Sequence, residues 1–127
     1  EAPKGQLLTR TLAMPGDCNA NGDIFGGWIM SQLDLAGGIL AKEISGGRIV
    51  TVSVSSITFK KPVKVGDVVC VYGECTKIGR TSMSIDLAVW VKPVKEHGVG
   101  ERFMVCDATF NYVAIDANGK PRPIPQN

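Results

Sequence analysis

Histidine is almost absent from this 127-residue chain, with His97 the single instance. It falls in Lys95-Glu96-His97-Gly98, a polar turn where a solvated residue is expected. A Ser-His-Asp or Cys-His nucleophile would have to use it, which sets that hydrolase chemistry aside. Cysteine is sparse too. Cys18, Cys70, Cys75 and Cys106 lie far apart, with no C-x-x-C pair. That spacing is neither a zinc pattern nor a disulfide framework. No carboxylates or cysteines cluster for a metal, so none is expected. The four read as reduced thiols of a cytoplasmic protein, with Cys70 and Cys106 in the core. No apolar run approaches the ~20 residues that cross a bilayer, and no signal-peptide pattern is visible. No membrane insertion is therefore expected. Neither sign of charge dominates: 14 basic residues stand against 12 acidic. A basic stripe for nucleic acid is missing. The pairs Lys60-Lys61 and Lys92…Lys95 are small and read as solvated strand ends.

The length fits one compact domain, residues 1–127, that buries roughly two-thirds of the surface its unfolded chain exposes. Gln6 to Met14 reads as a first strand, ended by Pro15-Gly16-Asp17. A loop rich in Asn, Asp and Gly follows to Asp23, a candidate helix N-cap. From Phe25 the apolar residues take helical spacing through Trp28, Ile29, Leu33, Ala36, Leu40 and Ile44. The spacing predicts a helix to about Glu43, stopping near Gly46-Gly47. A second stripe, Gly27, Ser31, Asp34, Gly38 and Ala41, is small except for Asp34, and would let another backbone come close.

The period then changes to two. Val50, Val52 and Val54 alternate with polar residues, and the slip at Ser55-Ser56 predicts a bulge before Ile57-Thr58-Phe59. Strands are expected over Val68 to Ile78, around Met83 to Val91, and from Arg102 to Ile115. Gly79-Arg80 and Asn118-Gly119 are turns, and residues 118–127 an extended tail. Short turns between long strands imply antiparallel pairing. The expected fold is α+β: a five-stranded antiparallel sheet wrapped around one long helix. A second copy of the chain should cover an edge or face of that sheet.

Chemistry is expected where the helix begins. The run Asn19-Ala20-Asn21-Gly22-Asp23-Ile24-Phe25-Gly26-Gly27-Trp28 opens the helix with paired glycines. Free N–H groups at a helix start can hold a developing negative charge. Asp34 follows down the same helix. Read alone it is a buried acid that caps a backbone group; a lone buried carboxylate is costly, so it needs partners or a task. Asn19 alone reads as an Asx-turn residue. Gly73 to Thr81 faintly suggests a phosphate-binding P-loop, but the glycine spacing is wrong and a strand follows where a helix is required.

The stretch from Met14-Pro15 through Asn19…Trp28 to Asp34 closely resembles the bacterial YciA-type acyl-CoA thioesterases of the hot dog fold superfamily. So do Phe59-Lys60-Lys61-Pro62-Val63, Val65-Gly66-Asp67 and Ile78-Gly79-Arg80-Thr81-Ser82-Met83. The resemblance covers about Leu7 to Pro125. It implies hydrolysis of acyl-CoA thioesters to free acid and CoA, with CoA part of the substrate and no separate cofactor. It implies a homo-oligomer: a dimer with helices back to back, assembled as a trimer of dimers, the active site at the dimer interface. The family's catalytic pair matches Asn19 and Asp34, facing each other from different subunits. Asp34 would be general base or nucleophile, and Asn19 would orient water or substrate. Gly27 N–H would polarise the thioester carbonyl. Lys60, Lys61, Gly79, Arg80, Thr81 and Ser82 would hold CoA, its phosphates or pantetheine. Asp23 departs from some relatives, which carry an amide there. Short- to medium-chain acyl groups are expected. Two other functions compete. A hot dog dehydratase generally uses a histidine, and His97 is badly placed. A non-catalytic acyl-CoA sensor would not need the Asn19–Asp34 pair.

Overall fold

The computed structural model describes residues 2–96 and 98–126, so His97 lies outside the described residues. Strand β1 (Gln6–Leu12) leads through a short 3-10 turn at Pro15–Asp17 into helix α1 (Gly26–Ser45). Four strands of the main sheet and one small ribbon follow. They are β2 (Ile49–Phe59), β3 (Val68–Ile78), β4 (Ser82–Lys92), the ribbon β5 (Val94–Lys95) and β6 (Gly98–Val99), and β7 (Phe103–Ala114). The main sheet has the order β1-β3-β4-β7-β2, and every pair is antiparallel. The ribbon was not expected from the sequence. It interrupts what reads as one turn between β4 and β7.

The core lies between α1 and one face of this sheet. Along β4, Met83, Ile85, Leu87, Val89 and Val91 are all buried, as strict alternation demands. They meet Ile29, Leu33, Ala36, Leu40 and Ala41 of the helix. Each large apolar side chain so buried contributes about 1.5–3 kcal/mol. The helix touches all five strands. This is the hot dog architecture that the resemblance implies. No helix is long and apolar enough to cross a membrane, among the described residues.

The helix ends on Gly46, at φ 75°, whose N–H donates to Lys42 O at 2.8 Å. Only glycine adopts that left-handed cap cheaply. The other end differs from expectation. The N-cap is Phe25, with no side-chain cap, and not Asp23. Asp23 instead forms a bridge to Lys64 and takes its ammonium in an ion pair. The bulge at Ser55-Ser56 is present: the β2–β7 register shifts there, and Ser56 sits at φ 54°. The tail is extended but packed down. Ile124 is buried, its N–H donates to Arg80 O at 2.8 Å, and Arg122 donates to Ser45 O at 3.0 Å. Cys70 and Cys106 are buried, and all four cysteines are unpaired. Burial, with the neighbouring Asp107 charge, pushes the Cys106 thiol up to about 11.

Candidate active site

Asp34 is exposed in the protomer, where the sequence suggested a buried acid. The physical reason is its place on the helix. Leu33 and Gly37 form the stripe that meets the sheet, and Asp34 stands just beside it, over the edge strand β2. Two hydroxyls hold it there. Thr51 Oγ1 donates to Asp34 Oδ1 at 2.5 Å. The Tyr112 hydroxyl lies 3.3 Å from the same oxygen and 3.1 Å from the Asp34 main-chain carbonyl. Thr51 and Tyr112 are direct cross-strand partners on β2 and β7. Burial, then the Asp34 charge, pushes the Tyr112 phenol well above the usual range.

Tyr112 can reach Asp34 because position 37 is glycine. A Cβ there would lie 2.3 Å from the Tyr112 hydroxyl. Sequence reading overlooked Thr51, Tyr112 and Gly37. Two signals were available: a tyrosine on the core-facing parity of β7 must find a partner for its hydroxyl, and an internal helix glycine marks a close approach.

Asn19 sits in the loop before the helix, and its side-chain oxygen is already engaged. Oδ1 accepts from Asn21 N at 2.9 Å and from Asp23 N at 3.1 Å. This is the Asx turn expected from the sequence. With Oδ1 closing the loop, the side-chain NH₂ is left as a donor.

The helix start is open. Trp28 N and Ile29 N donate to Phe25 O, while Gly26 and Gly27 N–H have no acceptor among the described residues. Nothing lies within 4 Å of a Cβ built at Gly27. Packing within the chain therefore does not demand glycine there. Gly27, Ser31 and Asp34 are all exposed in the protomer.

The candidate residues fall into two groups. A cavity of about 340 Å³ joins Gly26 to Lys60 and Lys61 at the helix start. Lys60 pairs with Asp107 at 3.5 Å, and Lys61 lies over the Phe103 ring at 5.0 Å. The turn Gly79-Arg80-Thr81-Ser82 is at the other end of the sheet, roughly 30 Å away along β4 at about 3.3 Å per residue. Gly79 N closes it on Ser82 O at 2.8 Å, and Ala114 N holds Thr81 O at 2.9 Å. Asp34 belongs to that second end, because Tyr112 pairs with Met83. Asn19, Gly27, Lys60 and Lys61 thus gather at one end, and Asp34 and Arg80 toward the other. Gly27 and Asp34 are about 10 Å apart along the helix axis.

A larger cavity, about 700 Å³, lies elsewhere. It opens beside Asp86, Ala88 and Trp90, which alternate with core-facing Leu87 and Val89 on β4. Among the described residues no three His, Cys, Asp or Glu side chains gather as metal ligands.

Residues 21–97 match the sequence profile of the thioesterase superfamily. The chain is similar to an uncharacterized acyl-CoA thioester hydrolase of Haemophilus influenzae, 63% identical over 97% of this chain and 80% of that one. It is 60% identical to the acyl-CoA thioester hydrolase YciA of Salmonella typhimurium, over 97% of this chain and 92% of that one. A solved hexameric broad-specificity acyl-coenzyme A thioesterase superposes with a TM-score of 0.93 at 61% identity, covering 100% of this chain and 86% of that one. An acyl-CoA hydrolase from Staphylococcus aureus is more distant, at 26% identity and TM-score 0.82, covering 92% of this chain and 70% of that one. It has been solved as an Asp-to-Ala and an Asn-to-Ala variant, at positions fifteen apart. Asn19 and Asp34 have the same separation. The chain therefore belongs to the thioesterase superfamily, and within it to the YciA-type acyl-CoA thioester hydrolases.

Proposed function

We propose that this enzyme hydrolyses short- to medium-chain acyl-CoA thioesters to the free acid and CoA, at a site shared between two copies of the chain. The observation that carries the reading is the split of the candidate residues into two groups. One helix holds Gly27 and Asp34 about 10 Å apart, too far for both to act on one carbonyl carbon. A two-fold dimer solves this. In an isologous pair the first group of one protomer meets the second group of its partner, twice over. Exposed apolar residues support a partner there: Leu35 and Ile39 on α1, and Val50 and Val52 on the edge strand β2. The hexameric relative supports a further assembly, a trimer of dimers.

In each such site Asp34 acts in one of two ways. As general base it takes a proton from water while the water oxygen attacks the thioester carbon. As nucleophile it attacks that carbon itself and forms a mixed anhydride, which water then opens. Either way the carbonyl oxygen gains negative charge, which the Gly27 N–H and the helix dipole stabilise. The Asn19 side-chain NH₂ donates to the same oxygen or to the water. The C–S bond breaks, and CoA leaves as the thiolate and is protonated. Arg80 from one protomer and Lys60 and Lys61 from the other flank the site and suit the phosphates of CoA. No separate cofactor enters this chemistry.

The test mixes one inactive and one impaired protein. Asp34→Ala should abolish release of free CoA, read with a thiol reagent, while CoA binding persists. Asn19→Ala should lower turnover about tenfold to a thousandfold. After random subunit exchange, half the dimers are mixed and each has one intact site, so about a quarter of wild-type activity should return. No recovery after proven exchange would put both residues in one chain's site and overturn the shared-site reading.

A further inference from the structure

Asp34 is gripped at one oxygen only. Oδ1 faces both the Thr51 and the Tyr112 hydroxyls, while Oδ2 has no hydrogen-bond partner among the described residues. The Tyr112 hydroxyl also ties to the main-chain carbonyl of Asp34. Tyr112 is fully buried, and its hydroxyl finds no acceptor outside Asp34 among the described residues. The gap above Gly37 is what admits it. Among the described residues no lysine or arginine lies within ion-pair distance of Asp34. Two neutral donors on one rung of the sheet thus set this carboxylate, and a cation does not.

We infer that Thr51 and Tyr112 are positioning residues that commit Asp34 to react through a single oxygen, Oδ2. This rests on the reading of Asp34 as the catalytic carboxylate. The terminal torsion of an aspartate is soft and roughly two-fold, so an untethered carboxylate would exchange its oxygens. Thr51, donating to Oδ1 at 2.5 Å, and Tyr112, whose one proton is shared between Oδ1 and the Asp34 main-chain carbonyl, remove that freedom. In the general-base route the proton from water goes to Oδ2. In the nucleophilic route the new C–O bond forms at Oδ2 as the C–S bond breaks, and Oδ1 remains a carbonyl oxygen held by Thr51 and faced by the Tyr112 hydroxyl. Both routes need a carboxylate fixed in direction before substrate arrives.

Four variants test the inference: Asp34→Ala, Tyr112→Phe, Thr51→Val and Thr51→Ser. Turnover and KM are measured with an acyl-CoA, beside melting temperature and sedimentation at one protomer concentration. Tyr112→Phe and Thr51→Val should each lower kcat by about tenfold to a hundredfold, as expected when a reacting group loses its aim, with KM nearly unchanged. Thr51→Ser keeps the donor and should retain most of the activity. Thr51 is exposed, so its Val and Ser variants report on the role even if Tyr112→Phe disturbs the core. Wild-type kcat in Thr51→Val and Tyr112→Phe, with Asp34→Ala inactive, would overturn the positioning role and leave the catalytic reading of Asp34 intact. A rise in KM at constant kcat would also overturn it. An active Asp34→Ala would instead remove the catalytic reading itself.

Discussion

A single methyl group at Gly37 should show whether the Tyr112 hydroxyl is the strut beneath Asp34. A Cβ there would lie 2.3 Å from the Tyr112 hydroxyl oxygen, 2.9 Å from Leu87 Cδ1 and 3.1 Å from Tyr112 Cζ. Leu87 can yield by a small rotation. The phenol cannot, because its ring is buried and its hydroxyl is tied to Asp34. Two effects then compete. Alanine in a helix interior is favoured over glycine by about 1 kcal/mol. Overpacking a filled core typically costs about 1–3 kcal/mol. Gly37→Ala should therefore destabilise by up to about 2 kcal/mol, and lower the melting temperature by up to about 10 °C in a domain of this size. In a Tyr112→Phe background the tightest contact is gone. The same substitution should then be neutral, or stabilising by up to about 1 kcal/mol. The two changes should couple by about 1–2 kcal/mol, within the range for touching residues. Thermal and urea denaturation of the four proteins would measure this, at one protomer concentration because oligomer stability depends on it. An equal loss in both backgrounds would refute the strut.

Two further outcomes follow from the same geometry and from the exposed turn. Burial and the Asp34 charge raise the Tyr112 phenol above its ordinary 10.0. The folded chain keeps this proton where the unfolded chain loses it, so the contribution is whole below about pH 10 and is lost as pH rises further, by about 1.4 kcal/mol per unit. Urea midpoints between pH 9 and pH 11.5 should fall more steeply for wild type than for Tyr112→Phe; parallel curves would contradict the burial of an ionisable phenol. Arg80→Ala should raise KM for acyl-CoA by about fivefold at most, the scale of an exposed charge contact, and leave kcat unchanged. The effect should shrink at high salt and vanish for acyl-pantetheine, which lacks the nucleotide. An equal loss on both substrates would show that Arg80 acts through folding.

What the sequence determined by itself was everything set by local period and local chemistry. The helix from Phe25 to Gly46 followed from apolar spacing and a glycine able to take φ 75°. The β4 strand followed from five alternating apolar residues, and the Ser55-Ser56 bulge from one slip in that alternation. Antiparallel pairing followed from short turns. Gly27 and Asp34 stood out because their residue types are unusual for their place in a helix, whereas Asn19 alone read as an Asx-turn residue and entered only through the family resemblance. Three things were decided only by tertiary structure. The N-cap passed from Asp23 to Phe25, because Asp23 is bridged to Lys64, forty-one residues away, and Ile24 N–H donates to Val63 O, which holds the backbone out of the helix up to Phe25. Asp34 is exposed and not buried, because the helix meets the sheet along Leu33 and Gly37 and leaves the next residue over an edge strand. Thr51 and Tyr112 stand side by side under that carboxylate through the pairing of β2 with β7, across sixty-one residues of sequence. A local pattern fixes which face a side chain takes. Only the register between distant strands fixes which side chains meet, and the separation of Asn19 and Gly27 from Asp34 is a property of that register and of the helix length.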